Sequence, residues 1–264
     1  MVVTLAAAEY SEGRPVAILH GLFGSGRNWA TIAQRLATHY QVVVFDLRNH
    51  GASPWAPTMD YAEMAEDVHA AMLARGHSEY MLIGHSMGGK IAMVVALSHP
   101  AAVERLVVVD IAPVAYPVPY LGYVRAMRAL DLSAITRRSE VDALLADTIQ
   151  DPAERSFLTQ NLVLGDEKPR WRFNLEALET ALPALAGFPV FPPNAGYAGP
   201  ALFIAGGKSL ALRPRHEPAI KTFFPHAVVA RIEDAGHWVH AERPAAFLAL
   251  VKPFLGEASP GAAL

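Results

Sequence analysis

The ten residues Ile83–Ala92 read IGHSMGGKIA and place Ser86 between glycines two positions before and two positions after it. An apolar run, YMLIG, precedes the serine, and a helical pattern, GKIAMVVALSH, follows it. The pattern G-x-S-x-G between a strand and a helix is typical of a nucleophile elbow, where small residues let strand and helix pass close together. We interpret Ser86 as a nucleophile. The alternative is a glycine-bounded turn that carries an inert serine.

The rest of the chain predicts the sheet to which this turn belongs. Apolar runs rich in β-branched residues alternate with longer helical patterns. The runs are PVAIL (15–19), QVVVFD (41–46), YMLIG (80–84), ERLVVVD (104–110), PALFIAG (200–206) and AVVARIE (227–233). Continuous apolar strands spaced by helices indicate a mainly parallel sheet covered on both faces. We therefore predict an α/β fold with a doubly wound, mainly parallel sheet.

The alternation stops between residues 113 and 199, where no convincing strand appears. Helical patterns occupy this part of the chain, at 118–131, 139–150, 152–164 and 173–186. Since strands resume at 200, we predict a core domain of residues 1–112 and 200–264, with residues 113–199 inserted as an α-helical cap. The small residues at 256–264 are predicted to form a mobile tail.

Composition excludes several classes of function. The formal net charge is -3, acids and bases are interspersed, and no basic run would attract nucleic acid or anionic lipid. The chain has no cysteine, which excludes disulfides and thiol chemistry. No apolar run approaches the roughly 18 residues of a membrane span, and the first residues lack the features of a signal peptide. We expect a cytoplasmic protein with a small-molecule partner; no oligomeric state follows from these features.

A serine hydroxyl becomes a good nucleophile only when a base takes its proton, so a histidine is needed elsewhere in the chain. His237 stands in DAGHWVHAERP, between the last strand and the last helical pattern. In a doubly wound sheet this loop opens at the carboxyl edge, on the side of Ser86. His237 is favoured over His240, which we assign to helix packing or a loop hydrogen bond. His85 is expected to shape the pocket or to bond to backbone. No metal site is predicted, because the H-x-x-H pair formed by His237 and His240 lacks a third ligand.

The third group should be a carboxylate that orients the imidazole, and its position is unusual in this chain. The loop after ALFIAG, where such an acid usually stands, reads GGKSLAL at 206–212 and contains no Asp or Glu. Asp110 instead ends the strand ERLVVVD, and its place between the serine and the histidine in chain order fits this architecture. Asp110 is favoured over Glu217 and Asp234. Its alternative role is to cap the backbone that follows.

Two further features complete the candidate site. Ser209 occupies the position that lacks the acid, and we consider it an auxiliary group that could bond to the histidine or to the acid. A tetrahedral intermediate also needs N–H donors around its oxygen. Met87, directly after the serine, would supply one donor. The loop HGLFGS at 20–25 would supply the other through Leu22, with Phe23 as the second choice.

Six motifs together resemble those of the α/β-hydrolase superfamily. They are HGLFGSGRNW, FDLRNHGASP, GHSMGGK, VVVDIAPV, WRFNLEAL and AGHWVHAERP. More closely, nearly the whole chain resembles a bacterial esterase family similar to the mitochondrial abhydrolase-domain esterases. The resemblance implies a serine hydrolase of carboxylic esters or acyl thioesters that needs no cofactor. It also implies that Asp110 is the acid, in an early position after the sixth strand, and that Ser209 stands at the usual acid position.

Fold and triad leave other reactions open, because one fold supports several chemistries. Carbon–carbon bond hydrolysis and perhydrolase exchange would use the same nucleophile, and a non-catalytic module would bind a small ligand without turnover. In each case the residues expected to line the pocket are Phe23, His85, Tyr116, Tyr123 and Trp238.

Five other polar residues are assigned mainly to structure. Arg48, Asn49 and Lys90 lie in the matching motifs, and we expect them to form hydrogen bonds or salt bridges. Arg125 and Arg128 could meet an anionic leaving group such as a CoA phosphate, but a solvated helix face is favoured for them.

Overall fold

The computed structural model describes residues 1–118, 120–165 and 168–257. In this part of the chain the strands are β1 (Ala7–Tyr10), β2 (Arg14–Leu19), β3 (Tyr40–Phe45), β4 (Tyr80–His85), β5 (Val103–Val109), β6 (Leu162–Val163), β7 (Arg170–Trp171), β8 (Ala201–Gly206) and β9 (Val228–Ile232). The α-helices are α1 (Ala30–Leu36), α2 (Tyr61–Leu73), α3 (Met87–Ser98), α4 (Tyr120–Ala129), α5 (Arg138–Leu145), α6 (Pro152–Thr159), α7 (Leu175–Ala186), α8 (Glu217–Phe223), α9 (Val239–Glu242) and α10 (Pro244–Leu255). Beyond residue 257, the predicted tail lies outside the described residues.

Seven strands form one sheet in the order β1-β3-β2-β4-β5-β8-β9. All neighbours pair in parallel except β1, which is antiparallel to β3 at the edge. The predicted mainly parallel sheet is thereby confirmed. Strand β4 precedes Ser86, β5 precedes Asp110, and the two strands are adjacent, with His85 opposite Val109. The carboxyl ends of neighbouring strands therefore bring Ser86 and Asp110 to the same edge of the sheet.

Both faces of the sheet are buried, which explains why the strands read as continuous apolar runs. Leu82 and Val108 belong to one hydrophobic cluster, to which α2 and α3 contribute side chains. Ile83 and Val107 belong to the other cluster, to which α1 and α10 contribute. The nucleophile strand is thus fixed from both sides, and the turn that follows it rests on a rigid support.

The helical insertion, residues 113–199, contains the four predicted helices as α4 to α7, but also two short strands. Strand β6 pairs antiparallel with β7, so the prediction that this part lacks strands is wrong. The third helix accordingly ends at Thr159 rather than at 164. Each strand has only two residues, too few to produce a recognisable alternation in the sequence. The division into core and cap domains stays a prediction.

Strand β1 was also not predicted. Its four residues, AAEY, are largely exposed and pair with one neighbour only. A short exposed edge strand lacks the apolar run by which the central strands were recognised. Among the helices of the described residues, none combines the length and the apolar character that crossing a membrane requires.

Arg48, Asn49 and Lys90 make structural contacts, as predicted. The Arg48 Nε atom lies 2.6 Å from Asp67 Oδ2, and both side chains are 1% exposed. The Asn49 side chain accepts a backbone N–H at 2.8 Å. Lys90 Nζ donates to the carbonyl oxygen of Ala186, at the end of α7, over 3.1 Å. Lys90 therefore links the helix after the serine to the helical insertion.

Candidate active site

Ser86 lies in the sharp turn between β4 and α3. Its backbone angles are φ 53° and ψ -117°, which a residue other than glycine rarely adopts. A Cβ atom on Gly84 would lie 2.2 Å from the carbonyl oxygen of Gly88, and a Cβ atom on Gly88 would lie 2.4 Å from that of His20. This confirms the prediction that small residues permit a close approach of strand and helix. The packing holds Ser86 in a strained conformation at the N-terminus of α3.

Asp110 and His237, distant in the sequence, are in direct contact. Asp110 Oδ2 lies 2.7 Å from His237 Nδ1, and Asp110 Oδ1 accepts the backbone N–H of Gly206 at 3.0 Å. Asp110 is fully buried and has a positive φ of 50°. The carboxylate accepts the proton on Nδ1, so the second ring nitrogen, Nε2, carries the free lone pair. The ring is therefore oriented as a base would need it.

The alternative acids lie elsewhere. Asp234 Oδ2 is 2.6 Å from Arg243 Nε, and the Asp234 side chain is 62% exposed. Glu217 begins α8 and makes no hydrogen bond to His237 within the described chain. Of the candidate acids, the structure brings Asp110 alone to the histidine ring.

Ser209 lies near the candidate site but is bonded within its own loop. Its hydroxyl accepts the backbone N–H of Ala211 at 3.1 Å, and its own N–H donates to Gly206 O at 3.1 Å. In the described residues no hydrogen bond joins Ser209 to Asp110 or His237. The auxiliary contact considered from the sequence is thus not formed here.

His85 and His240 flank His237 and have structural contacts, as predicted. His85 Nε2 donates to the backbone oxygen of His237 at 2.9 Å, which anchors the histidine loop to the serine turn. Burial lowers the pKa of His85 well below its usual value. The His240 ring stacks on Trp29 with the centroids 3.8 Å apart, and burial lowers the pKa of His240 to about 3. Both rings are therefore neutral at physiological pH.

The loop after β2 contains Leu22 and Phe23, the first and second choices for one of the two predicted oxyanion donors. Phe23 has a positive φ of 60°, and its N–H donates to His50 Nε2 at 3.3 Å. His50 Nδ1 in turn donates to Arg48 O at 3.0 Å, and burial, followed by the neighbouring His20, lowers the pKa of His50 to about 3. Because the neutral His50 ring accepts the backbone N–H of Phe23, that N–H is not free to bind an oxyanion. Leu22 therefore remains the candidate donor in this loop. Sequence reasoning missed His50, although FDLRNHGASP, one of the matching motifs, contains it.

Two cavities meet at Ser86 and His237. The large cavity has a volume of about 630 Å³ and the small pocket one of about 50 Å³. Of the expected lining residues, the small pocket contains Phe23, His85, Tyr123 and Trp238, and the large cavity contains Tyr116. Leu22, Tyr120 and Glu154 line both spaces, and Met87 lines the large cavity. Glu154 was not found from the sequence, because its place depends on how α6 packs beside the cavities that Ser86 lines.

The wall of the large cavity is mainly apolar. Leu182 and Leu185 of α7 and Ile111 after β5 contribute to it. Lys90 is the buried cationic residue in this wall: its side chain packs over the ring of Tyr116, with Nζ 4.9 Å from the centroid. Burial lowers the pKa of Lys90 to about 7. A cavity of this size and lining suits an apolar chain.

The fold and this site correspond to a known family. Residues 14–244 match the family profile described as the alpha/beta hydrolase fold. The chain belongs to this family of α/β hydrolases.

Individual relatives narrow the class of activity. The chain is 38% identical over 248 residues to the sn-1-specific diacylglycerol lipase ABHD11 of Mus musculus, covering 91% of this chain and 80% of that protein. It is 34% identical over 252 residues to the esterase YbfF of Escherichia coli, covering 95% and 96%. A solved structure entitled "Marine microorganism esterase" superposes with a TM-score of 0.91 at 35% identity, covering 96% of this chain and 99% of that one. Relatives named as esterases and lipases support ester hydrolysis as the activity.

Proposed function

We propose that this protein is a serine hydrolase that cleaves carboxylic esters or acyl thioesters through an acyl-enzyme. Ser86 is the nucleophile, His237 the general base and Asp110 the acid that orients it. The observation that carries the proposal is the 2.7 Å contact between Asp110 and His237, together with two cavities that Ser86 and His237 both line. A module that binds its ligand without reaction would not need a buried carboxylate that orients the histidine ring.

Acylation begins when His237 Nε2 takes the hydroxyl proton of Ser86. The serine oxygen attacks the carbonyl carbon of the substrate, and the negative charge moves to the carbonyl oxygen. The backbone N–H groups of Leu22 and Met87 stabilise this oxygen, since no other group of the described chain engages them and Met87 opens α3. When the tetrahedral intermediate collapses, the protonated His237 gives its proton to the leaving alcohol or thiol.

Deacylation repeats the sequence with water. His237 Nε2 takes a proton from water, and the resulting hydroxide attacks the acyl-enzyme carbonyl. The Ser86 oxygen then leaves with the proton held by His237, and the free acid is released. Throughout, Asp110 stabilises the imidazolium that forms in each half-reaction. No metal or organic cofactor takes part in these steps.

The cavities assign the two parts of the substrate. The large cavity, with its apolar wall, would take the acyl chain. The small pocket contains His237, Trp238 and Phe157, and it would take the leaving group, which must lie next to the histidine that protonates it. The mouse relative is named as a diacylglycerol lipase, and an apolar cavity for the acyl chain agrees with a lipid ester as substrate.

Hydrolysis of two substrate series would test this function. One series consists of p-nitrophenyl esters and the other of acyl-CoA thioesters, each from short to long chains. The wild type is expected to hydrolyse at least one series and to react with a fluorophosphonate probe, whereas Ser86→Ala should lose both properties. Ser133→Ala, an exposed serine outside both cavities, is the matched control and should keep both.

Three outcomes would contradict the proposal. If the wild type hydrolyses neither series, the hypothesis of ester or thioester hydrolysis is excluded. Substrates with a cleavable carbon–carbon bond, or perhydrolysis, would then be tested. Undiminished turnover in Ser86→Ala would exclude the serine mechanism. Absence of probe labelling together with absence of turnover would favour a module that binds its ligand without reaction.

A further inference from the structure

Glu154 is a charged residue in the walls of both cavities. It lies in the first turn of α6, is partly buried, and lines the large cavity and the small pocket together with Ser86 and His237. Its Oε2 atom accepts the hydroxyl of Tyr123 at 2.7 Å. Desolvation and this bond to Glu154 raise the pKa of Tyr123 to about 12, so the tyrosine remains a donor and the glutamate an acceptor. Tyr123 thus fixes one carboxylate oxygen and leaves the other, Oε1, without a partner in the described chain.

No arginine or lysine of the described residues forms an ion pair with Glu154. Three arginines of the insertion form ion pairs with other acids. Arg155 Nε lies 3.3 Å from Asp142, and Arg125 and Arg128 both pair with Glu179. In the large cavity Lys90 donates to backbone carbonyls, and Arg215 Nε donates to His216. Within the described residues, Glu154 therefore has no ion-pair partner.

The small pocket carries this charge next to the leaving group. Besides Glu154, its polar lining consists of histidines, Asn28, Ser86, Trp29, Trp238 and the two tyrosines Tyr120 and Tyr123, with no cationic arginine or lysine. An alcohol seated there would have its ester oxygen at His237 and its remaining atoms near the carboxylate. A carboxylate in such a place binds a hydroxyl donor more strongly than a neutral acceptor would, and it repels an anion.

We propose that Glu154 determines the leaving-group specificity of this site: its free carboxylate oxygen accepts a hydrogen bond from a hydroxyl that the alcohol retains. The favoured substrates are esters whose leaving alcohol retains a free hydroxyl, and anionic leaving groups are disfavoured. This inference rests on the proposed serine hydrolase activity. Within that activity, it favours neutral hydroxyl-bearing esters over CoA thioesters as substrates.

Three substrates with the same acyl group test the proposal. Glycerol 1-butyrate carries two free hydroxyls, its 2,3-di-O-methyl ether carries none, and butyryl-CoA carries an anionic leaving group. The enzymes are the wild type, Glu154→Gln, which removes the charge, and Glu154→Met, which also removes the acceptor. Glu176→Gln, an exposed glutamate at the start of α7 outside both cavities, is the matched control. Comparing substrates within each variant cancels any loss of folded enzyme.

The wild type and Glu176→Gln should favour the free-hydroxyl ester over its ether about tenfold in kcat/KM, near the lower end of what one hydrogen bond to a charged group contributes. Glu154→Met should lose this preference and Glu154→Gln should retain a part of it. For butyryl-CoA, relative to the ether, both Glu154 variants should exceed the wild type, and added salt should reduce the difference.

Two results would overturn the inference while leaving the hydrolase activity intact. One is a wild type that hydrolyses the ether as well as the free-hydroxyl ester. The other is a preference that persists unchanged in Glu154→Met. A wild type that hydrolyses none of the three substrates, nor the p-nitrophenyl esters, would instead refute the proposed function itself.

Discussion

The carboxylate of Asp110 contacts the ring of His237 across 127 positions of sequence, with Oδ2 2.7 Å from Nδ1. Its other oxygen accepts the N–H of Gly206, the last residue of β8, at 3.0 Å. Three strand ends therefore meet at one buried carboxylate: β5 supplies the acid, β8 supplies a donor, and the loop after β9 supplies the histidine. The loop after β8, residues 206–212, contains no Asp or Glu that could make the same contact.

Asp110→Asn should lower kcat about ten-thousandfold, because an amide N–H facing Nδ1 would force the proton onto Nε2 and leave no base for Ser86. The measurement is steady-state hydrolysis of a p-nitrophenyl ester. Asp234→Asn is the matched control, since this acid is exposed and paired with Arg243. Equal activity of the two variants would show that Asp110 is not the orienting acid.

Ser209→Ala should change kcat and KM by less than about twofold, because the Ser209 hydroxyl bonds to Ala211 N in its own loop and to neither the histidine nor the acid. Kinetics of the same ester would measure this. A tenfold loss of kcat with normal thermal stability would indicate that Ser209 turns to the histidine or the acid during turnover, as the sequence suggested.

The strands of the sheet could be predicted from the sequence, whereas contacts between distant segments could not. Ser86 and the strand before Asp110 were found because parallel strands have recognisable apolar runs, and strand ends in a parallel sheet share one edge. Asp110 was selected as the candidate acid because it ends such a run, and the structure places its carboxylate 2.7 Å from His237 Nδ1. These features depend on local pattern and on the topology that follows from it.

Contacts that depend on packing between distant segments were not predictable. The bond from Phe23 to His50 joins two loops, and the place of Glu154 follows from how α6 packs beside the pocket that Ser86 lines. Strands β6 and β7, with two residues each, are too short for any periodicity. Each of these features required coordinates, because no local sequence signal specifies which loops meet.

Asp67→Asn should destabilise the fold by about 3 kcal/mol, since it leaves the buried Arg48 guanidinium with a weakened partner. The Asp67 carboxylate accepts from Arg48 Nε at 2.6 Å and also from the N–H of Val3 at 2.8 Å. Urea unfolding would measure the loss. Glu63→Gln, which alters the more exposed second partner of Arg48, should cost less; the reverse order would contradict the assignment of the buried pair.

His50→Leu should lower kcat about tenfold and change KM little. Without His50 Nε2 the N–H of Phe23 loses its acceptor, and the strained loop no longer holds Leu22 in place for the oxyanion. His50→Gln, which keeps an acceptor, should recover part of the activity. Since burial lowers the pKa of His50 to about 3, this effect should not vary between pH 6 and pH 9. A loss confined to KM would mean that the loop serves substrate binding instead.

The pH dependence of the free energy of unfolding should reveal the lowered pKa of Lys90. Burial lowers the pKa of Lys90 from 10.5 to about 7 in the folded chain. Between these two values the unfolded chain binds a proton that the folded chain does not, so this residue makes the free energy of unfolding rise with pH, by about 1 kcal/mol per pH unit. Urea unfolding of the wild type and of Lys90→Met at pH 7.5 and pH 9 would measure the contribution as the difference between their slopes. Equal slopes would show that the carbonyls of Ala186 and Gly187, at 3.1 and 2.5 Å from Nζ, hold the ammonium charged across this range.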